Sequence, residues 1–251
     1  MKITILCENQ VSHRGAKICQ AEWGFSVFIE RGKTSVLLDS GHSGIFKSNA
    51  EKLGVNLEET DFIVLSHFHW DHVEGLLKHD FKKRKKLIMH PAVLEKIPSE
   101  YHDKFSKDFE TATFIKPFEM APGIFFLGEI PRVTSFEKGV YKELPMEDDS
   151  AIAVKTEKGV AVISGCSHSG ICNICEYAKK VTGQKLYAVL GGFHLSHDEP
   201  EAVSGTIGYF KKEKPAFLSP MHCVDFSTLA KFYAELGTEK HSTGDVIELY
   251  D

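Results

Sequence analysis

Hydrophobic and polar residues alternate in short runs from one end of the chain to the other, and the period of the alternation changes from run to run. Residues 2–6, 25–30 and 35–39 carry β-branched and aromatic side chains at strand spacing, and Arg31-Gly32-Lys33 joins the last two as a hairpin-like turn. The opening is therefore predicted to be an antiparallel meander. Residues 45–53 fit a helix. Phe62-Ile63-Val64-Leu65 is an apolar run too brief for a buried helix and predicts an interior strand. The second half repeats the theme, with strands predicted at 124–127, 151–156 and 160–164 and a turn at Glu157-Lys158-Gly159. A helix beginning near Gly170, strands at 186–190 and 216–219, and helices at 199–211 and 226–236 follow. Two similar halves with helices available to cover them point to an α/β fold, a four-layer αββα sandwich. A doubly wound parallel sheet is the alternative, weakened by the hairpins. No Pro/Ser-rich linker interrupts the pattern, so residues 1–251 are expected to form a single domain.

Composition narrows the function classes. The 251 residues are 42% hydrophobic and 26% charged, which is the range of a folded globular chain. A net charge of -5 provides no basic footprint for a phosphate backbone, so nucleic acid is disfavoured as a partner. The run Lys82-Lys83-Arg84-Lys85-Lys86 reads as a solvated loop or helix end. No run approaches the roughly 20 apolar residues of a membrane span, and the first six residues are too short for a signal-peptide core. A cytoplasmic protein with no membrane partner is expected. Six cysteines in a chain of this length are expected as thiols or ligands.

The chemistry concentrates at Ser66-His67-Phe68-His69-Trp70-Asp71-His72, where three imidazoles and a carboxylate fall within six positions. These are ligand types of first-row divalent ions such as zinc. In extended backbone His67, His69 and Asp71 share a side, while Phe68 and Trp70 are expected to anchor the loop in apolar surroundings. Asp71 is a plausible N-cap for a helix carrying Val73 and Leu76 on one face. One ion cannot take all four groups in good geometry. His67 and His69 are thus expected on one ion, and Asp71 and His72 on a second. Two such ions, about 3.5 to 4 Å apart, polarise a substrate oxygen and generate a metal-bound hydroxide near neutral pH.

The Ser-His-x-His-x-Asp-His pattern after an apolar strand resembles the signature of the metallo-β-lactamase superfamily, and Leu38-Asp39-Ser40-Gly41 resembles its Asp-x-Gly turn. Gly165-Cys166-Ser167-His168, Gly191-Gly192-Phe193-His194-Leu195 and Pro220-Met221-His222-Cys223 extend the likeness over nearly the whole chain. Within the superfamily they resemble the branch of 7,8-dihydropterin-6-methyl-4-(β-D-ribofuranosyl)aminobenzene-5′-phosphate synthase-like proteins. The resemblance implies two metal sites, with zinc expected and iron or manganese as alternatives. His222 matches the family's last metal histidine. Many members carry Gly-Asp, with a bridging carboxylate, where this chain has Gly165-Cys166. His168 is chosen to replace that ligand, with the Cys166 thiolate as competitor. Where the family often has Gly-His-Thr this chain reads Met146-Glu147-Asp148-Asp149, and Asp149 is the candidate to stand in. Arg132, in a Glu-x-Pro-Arg stretch similar to the branch, could hold an anionic substrate through a bidentate contact.

His194 follows Gly191-Gly192, which let backbone or substrate approach closely. It is assigned to substrate contact or proton transfer. Cys172-Asn173-Ile174-Cys175 can be a zinc or redox pair. If a helix starts near Gly170, its sulfurs are small packed groups, and this reading is preferred.

The expected function is hydrolysis of an anionic, phosphate-bearing small molecule by a metal-bound hydroxide, with Asp71 as ligand and orienter of the water. The alternative is a carbon-carbon bond-forming synthase on a pterin-type phosphate, using the same metals. Redox chemistry at a di-iron centre would need a flavin module, for which no room is expected after Asp251. A structural metal role is disfavoured, because an open loop cluster is unlike a closed four-ligand zinc site. Oligomeric state is not legible in the sequence.

Overall fold

The opening runs form the antiparallel meander that their alternation predicts: β1 (Lys2–Cys7), β2 (Ser26–Arg31) and β3 (Thr34–Leu38). Arg31 pairs with Thr34 across the two-residue turn Gly32-Lys33, and Gly32 takes φ +59°, a conformation such turns require. This computed structural model describes residues 1–137, 139–141 and 144–250, with 140, 141 and 144 described by backbone alone. The chain divides into two compact units, Met1–Ile115 with His241–Tyr250, and Lys116–Lys240.

In the first unit the meander is followed by α1 (Ile45–Lys52), β4 (Phe62–Val64), α2 (Trp70–Val73), β5 (Lys85–Met89), α3 (Pro91–Lys96), α4 (Ser99–Asp108) and β6 (Phe109–Thr113). From β3 to β6 the strands are parallel. The apolar run 62–65 is an interior strand because it pairs on both sides, with Ile63 opposite Leu37 and Leu87. Phe28, Leu37, Phe46, Ile63, Leu87, Phe105 and Phe109 form one buried core. Fully burying each such side chain contributes about 1.5–3 kcal/mol, which holds β4 and the loop it delivers in place.

The second unit contains β7 (Phe118–Ala121), β8 (Ile124–Phe126), a small ribbon of β9 (Val140–Tyr141) and β10 (Leu144–Pro145), β11 (Ala151–Lys155) and β12 (Val160–Ser164). It continues through α5 (Ile171–Thr182), β13 (Leu186–Gly192), α6 (Pro200–Glu213), β14 (Phe217–Met221) and α7 (Phe226–Leu236). Its main sheet has the order β14-β13-β12-β11-β8-β7, parallel from β12 to β14 and antiparallel elsewhere. Strand β13 runs two residues past its predicted end, because Gly191 and Gly192 still pair with Pro220 and Met221. A Cβ on Gly191 would lie 2.0 Å from the Ser164 carbonyl oxygen, so only glycine fits there. The last strand, β15 (Val246–Glu248), returns to the first unit and pairs with β1. Among the described residues no helix is long and apolar enough to cross a membrane.

Two local expectations are corrected. The N-cap of α2 is His69, at φ -62° and ψ 142°, and Asp71 lies inside the first turn. Trp70 is 50% exposed, so it does not anchor the loop in a core; Phe68 alone packs against the first unit's apolar cluster.

Candidate active site

Strands β3 and β4 run parallel, so their carboxyl ends reach one edge of the first sheet and deliver Asp39 and Ser66-His67 together. Asp39 takes φ +55°, rare for a residue with a Cβ, and its backbone N–H donates to the Val64 carbonyl at 2.9 Å. Its carboxylate is fully buried. Oδ1 accepts from the Ser66 backbone N–H at 2.8 Å, and Oδ2 accepts from Ser66 Oγ at 2.6 Å and lies 2.7 Å from His72 Nδ1. Ser66 Oγ in turn lies 2.9 Å from His67 Nδ1.

The outer nitrogens of His67 and His72 are thereby held by protein groups. His67 Nε2 lies 3.1 Å from His69 Nδ1, and the rings of His67 and His72 stand 4.2 Å apart. Asp71 Oδ2 is 3.8 Å from His72 Nε2. The predicted segment thus brings His67, His69, Asp71 and His72 together on one loop. A close backbone approach fixes that loop: Ser40 N–H donates to the His72 carbonyl at 2.9 Å, and a Cβ on Gly75 would meet the Ser40 carbonyl oxygen at 2.0 Å. The sequence places Asp39 in a turn and Ser66 at the head of the histidine motif, with no role for either side chain. The signal that could have exposed them is two polar residues closing two apolar, buried runs.

The second unit builds its own polar edge at the carboxyl ends of β12, β13 and β14. Ser167, His194 and His222 have φ values of +62°, +45° and +51°. Three left-handed non-glycine residues at three neighbouring strand ends mark stored strain of the kind that functional sites carry. The loops are stitched together by Ser167 Oγ, which donates to the Gly192 carbonyl at 2.6 Å, and by Gly192 N–H, which donates to the Gly165 carbonyl at 3.0 Å. His168 and His194 have ring centroids 4.0 Å apart, and His222 is buried at the end of β14. Cys166, His194 and Cys223 present one donor atom each within 4.8 Å of one another.

Both histidine rings line a cavity of about 320 Å3 together with Phe136, Glu137, Phe193 and Glu199. Asp198 and Glu201 line it too, and its described lining holds neither lysine nor arginine. Glu137 has no motif to betray it. Its buried carboxylate accepts from the Cys172 and Asn173 N–H groups at 2.9 and 3.0 Å, at the N-terminus of α5. Burial raises its pKa above the usual carboxylate range, against those two bonds.

Asp149 is fully buried just before β11, and Oδ2 accepts from the Ser169 N–H at 2.9 Å and from Ser169 Oγ. Among the described residues Oδ1 has no hydrogen-bond partner. Burial pushes the Asp149 carboxyl up to about 6, with the Ser169 bonds opposing. Burial lowers the His194 imidazole, but the Cys223 sulfur beside it more than offsets this, and the net shift is upward.

Arg132 donates to the Met146 carbonyl at 2.6 Å and to those of Ile130 and Gly139. Its guanidinium organises the loop between β8 and β11. Cys172 and Cys175 are fully buried in the apolar core of the second unit, on the inner side of α5.

The chain resembles known proteins over most or all of its length. The sequence profile of the metallo-beta-lactamase superfamily matches residues 24–179. A protein of Methanocaldococcus jannaschii is 31% identical over 84% of this chain and 87% of its own length. The 7,8-dihydropterin-6-methyl-4-(beta-D-ribofuranosyl)-aminobenzene-5'-phosphate synthase of the same organism is 29% identical over 94% of this chain and 91% of its own length. Among solved structures, a metal-dependent hydrolase of the beta-lactamase superfamily superimposes with a TM-score of 0.85 at 25% identity, covering 100% of both chains. The fold expected from the sequence is the one these comparisons bear out, and the chain belongs to the metallo-beta-lactamase superfamily.

Proposed function

We propose that the chain is a metal-dependent hydrolase of small molecules, with two divalent ions, zinc in the first instance and iron or manganese as alternatives. The observation that carries this reading is the approach of His67 Nε2 to within 3.1 Å of His69 Nδ1 while Ser66 and Asp39 hold the outer nitrogens of His67 and His72. Imidazoles oriented from behind in this way are the usual support of metal ligands. His67, His69, Asp71 and His72 are the ligands assigned to the first unit, and His168, His222 and Asp149 those assigned to the second. Bound divalent ions supply Lewis acidity and lower the pKa of water.

The chain's own residues do the rest. Asp71 accepts a hydrogen bond from the attacking water and orients it. His194 contacts substrate or passes a proton to the leaving group from the wall of the cavity. Phe136 and Phe193 exclude water from an apolar part of the substrate. A phosphate-bearing substrate would meet carboxylates but neither lysine nor arginine in the described lining, so bound ions would have to supply its positive partner. Arg132, already donating to three carbonyls, acts on substrate by shaping the loop.

Metal analysis of gently purified protein, with a screen of phosphate esters, lactones and thioesters, tests this reading. Bound metal that falls together with activity in His69→Ala is expected. Unchanged metal content in that variant would overturn the ligand assignment. The second reading is a pterin-type phosphate synthase, favoured by the relative bearing that name at 29% identity over 94% of this chain. Product analysis separates them: a condensed product with no hydrolysis of any ester, lactone or thioester favours the synthase.

A further inference from the structure

We propose that Cys166, His194 and Cys223 form a binding site for a thiophilic divalent cation of the zinc class, distinct in its donor set from the histidine loop. The three residues follow β12, β13 and β14, which lie side by side and parallel, so their donors arrive at one edge of one sheet. One ring nitrogen and two sulfurs lie within 4.8 Å of one another. Zinc bonds to sulfur and nitrogen at the usual lengths set tetrahedral donors about 3.5–3.8 Å apart, a spread that small rotamer changes reach from here.

The local backbone is shaped around this cluster. A Cβ on Gly192 would lie 2.8 Å from Cys223 Sγ and 2.3 Å from the Gly165 carbonyl oxygen, so glycine alone lets the sulfur come in. The His194 backbone N–H donates to Cys223 Sγ at 3.2 Å, a bond that strengthens when the sulfur carries negative charge. The Cys223 thiol donates to the Cys166 carbonyl at 3.5 Å. Cation binding displaces that proton and the one on Cys166, releasing both to solvent.

Simple packing accounts for Cys172 and Cys175, which are buried in the apolar core of the second unit, but it leaves the imidazole beside Cys166 and Cys223 unexplained. His194 also lines the cavity of about 320 Å3. Of the three donors only His194 lines it, and a three-donor set leaves a fourth position for a ligand from outside the protein, whereas a structural zinc is closed by four. The ion commits one nitrogen of His194 and leaves the other for hydrogen bonding in the cavity, so proton transfer by this ring drops out.

The site needs neither His67 nor His69, so its failure is separable from that of the hydrolase reading. The test is cobalt(II) titration of the reduced, metal-stripped full chain. A thiolate-to-cobalt charge-transfer band is expected in the wild type and in His69→Ala, and a clearly weaker band, with one of the two thiolates gone, is expected in Cys223→Ser with an unchanged far-ultraviolet circular dichroism spectrum. His194→Ala, at an exposed position, should keep a thiolate band but bind cobalt at least about tenfold more weakly, since even removing a group behind a ligand costs that much. No band in the wild type, a band undiminished in folded Cys223→Ser, or unchanged cobalt affinity in His194→Ala would each overturn the proposal. If Cys223→Ser does not fold, the affinity of His194→Ala decides alone.

Discussion

Asp39 and His72 are 33 positions apart in sequence and meet at 2.7 Å, Oδ2 to Nδ1, with both side chains fully buried. A carboxylate on one nitrogen of an imidazole fixes the tautomer, leaving the opposite nitrogen as an electron-pair donor. The same carboxylate takes both hydrogen bonds of Ser66, whose hydroxyl reaches His67 Nδ1, so one aspartate sets the direction of two histidines.

Asp39→Asn should therefore weaken zinc binding by about 10–100-fold while the secondary structure survives, because the amide keeps the shape and loses the charge that makes His72 a better donor. Competition against a chromophoric chelator measures this directly. Wild-type affinity in the folded variant would show that Asp39 is only a structural turn residue.

Asp71→Asn is expected to leave the fold intact and to lower turnover by about 10²-fold or more, with substrate binding changed far less. Asp71 lies inside the first turn and does not cap α2, so loss of a helix cap cannot account for an effect there. The check is kcat against KM at saturating metal, with whichever ester, lactone or thioester the screen identifies. Equal turnover in wild type and variant would remove Asp71 from the chemistry.

Replacing Cys172 and Cys175 together by serine should cost about 1–3 kcal/mol, chiefly at Cys175, whose hydroxyl enters the apolar core, while a hydroxyl at 172 has Glu137 and Thr206 within reach. At roughly 2–4 °C per kcal/mol for a chain of this size, the melting temperature falls visibly. Metal stoichiometry and turnover should stay near those of the wild type. A folded double variant lacking one equivalent of metal would show that these sulfurs bind it.

Asp149 makes a pH prediction. Burial raises its folded pKa to about 6, above an unfolded value of about 3.9, so the folded state holds the proton more tightly. Metal-free protein should then lose stability as pH rises from about 4 to about 6, on the order of 2–3 kcal/mol, and the loss should level off above that. Asp149→Asn should remove this slope, since its carbonyl oxygen can still accept both Ser169 bonds. Saturating zinc should also flatten it, if Asp149 is a ligand, because a cation favours the ionised carboxylate. Chemical denaturation from pH 4 to 7, with and without zinc, distinguishes these outcomes; an unchanged slope in zinc would exclude ligation.

The alternation of apolar residues by itself determined the elements. Strands such as Phe62–Val64 and Val160–Ser164 and the helix Phe226–Leu236 follow from periodicity, because burial of one face or of a whole short run is a local property of the sequence. The density of imidazoles at His67, His69 and His72 was equally legible, since a loop that close-packed in ligand types needs no distant residue to be recognised. Tertiary structure decided what sequence separation concealed. Asp39 reaches His72, and Cys166 approaches Cys223, only because parallel strands bring their ends to one edge, and the order of strands in a sheet is not written in any local period. Trp70 was misread for a related reason: whether a large apolar side chain is covered depends on neighbours that a local pattern does not contain.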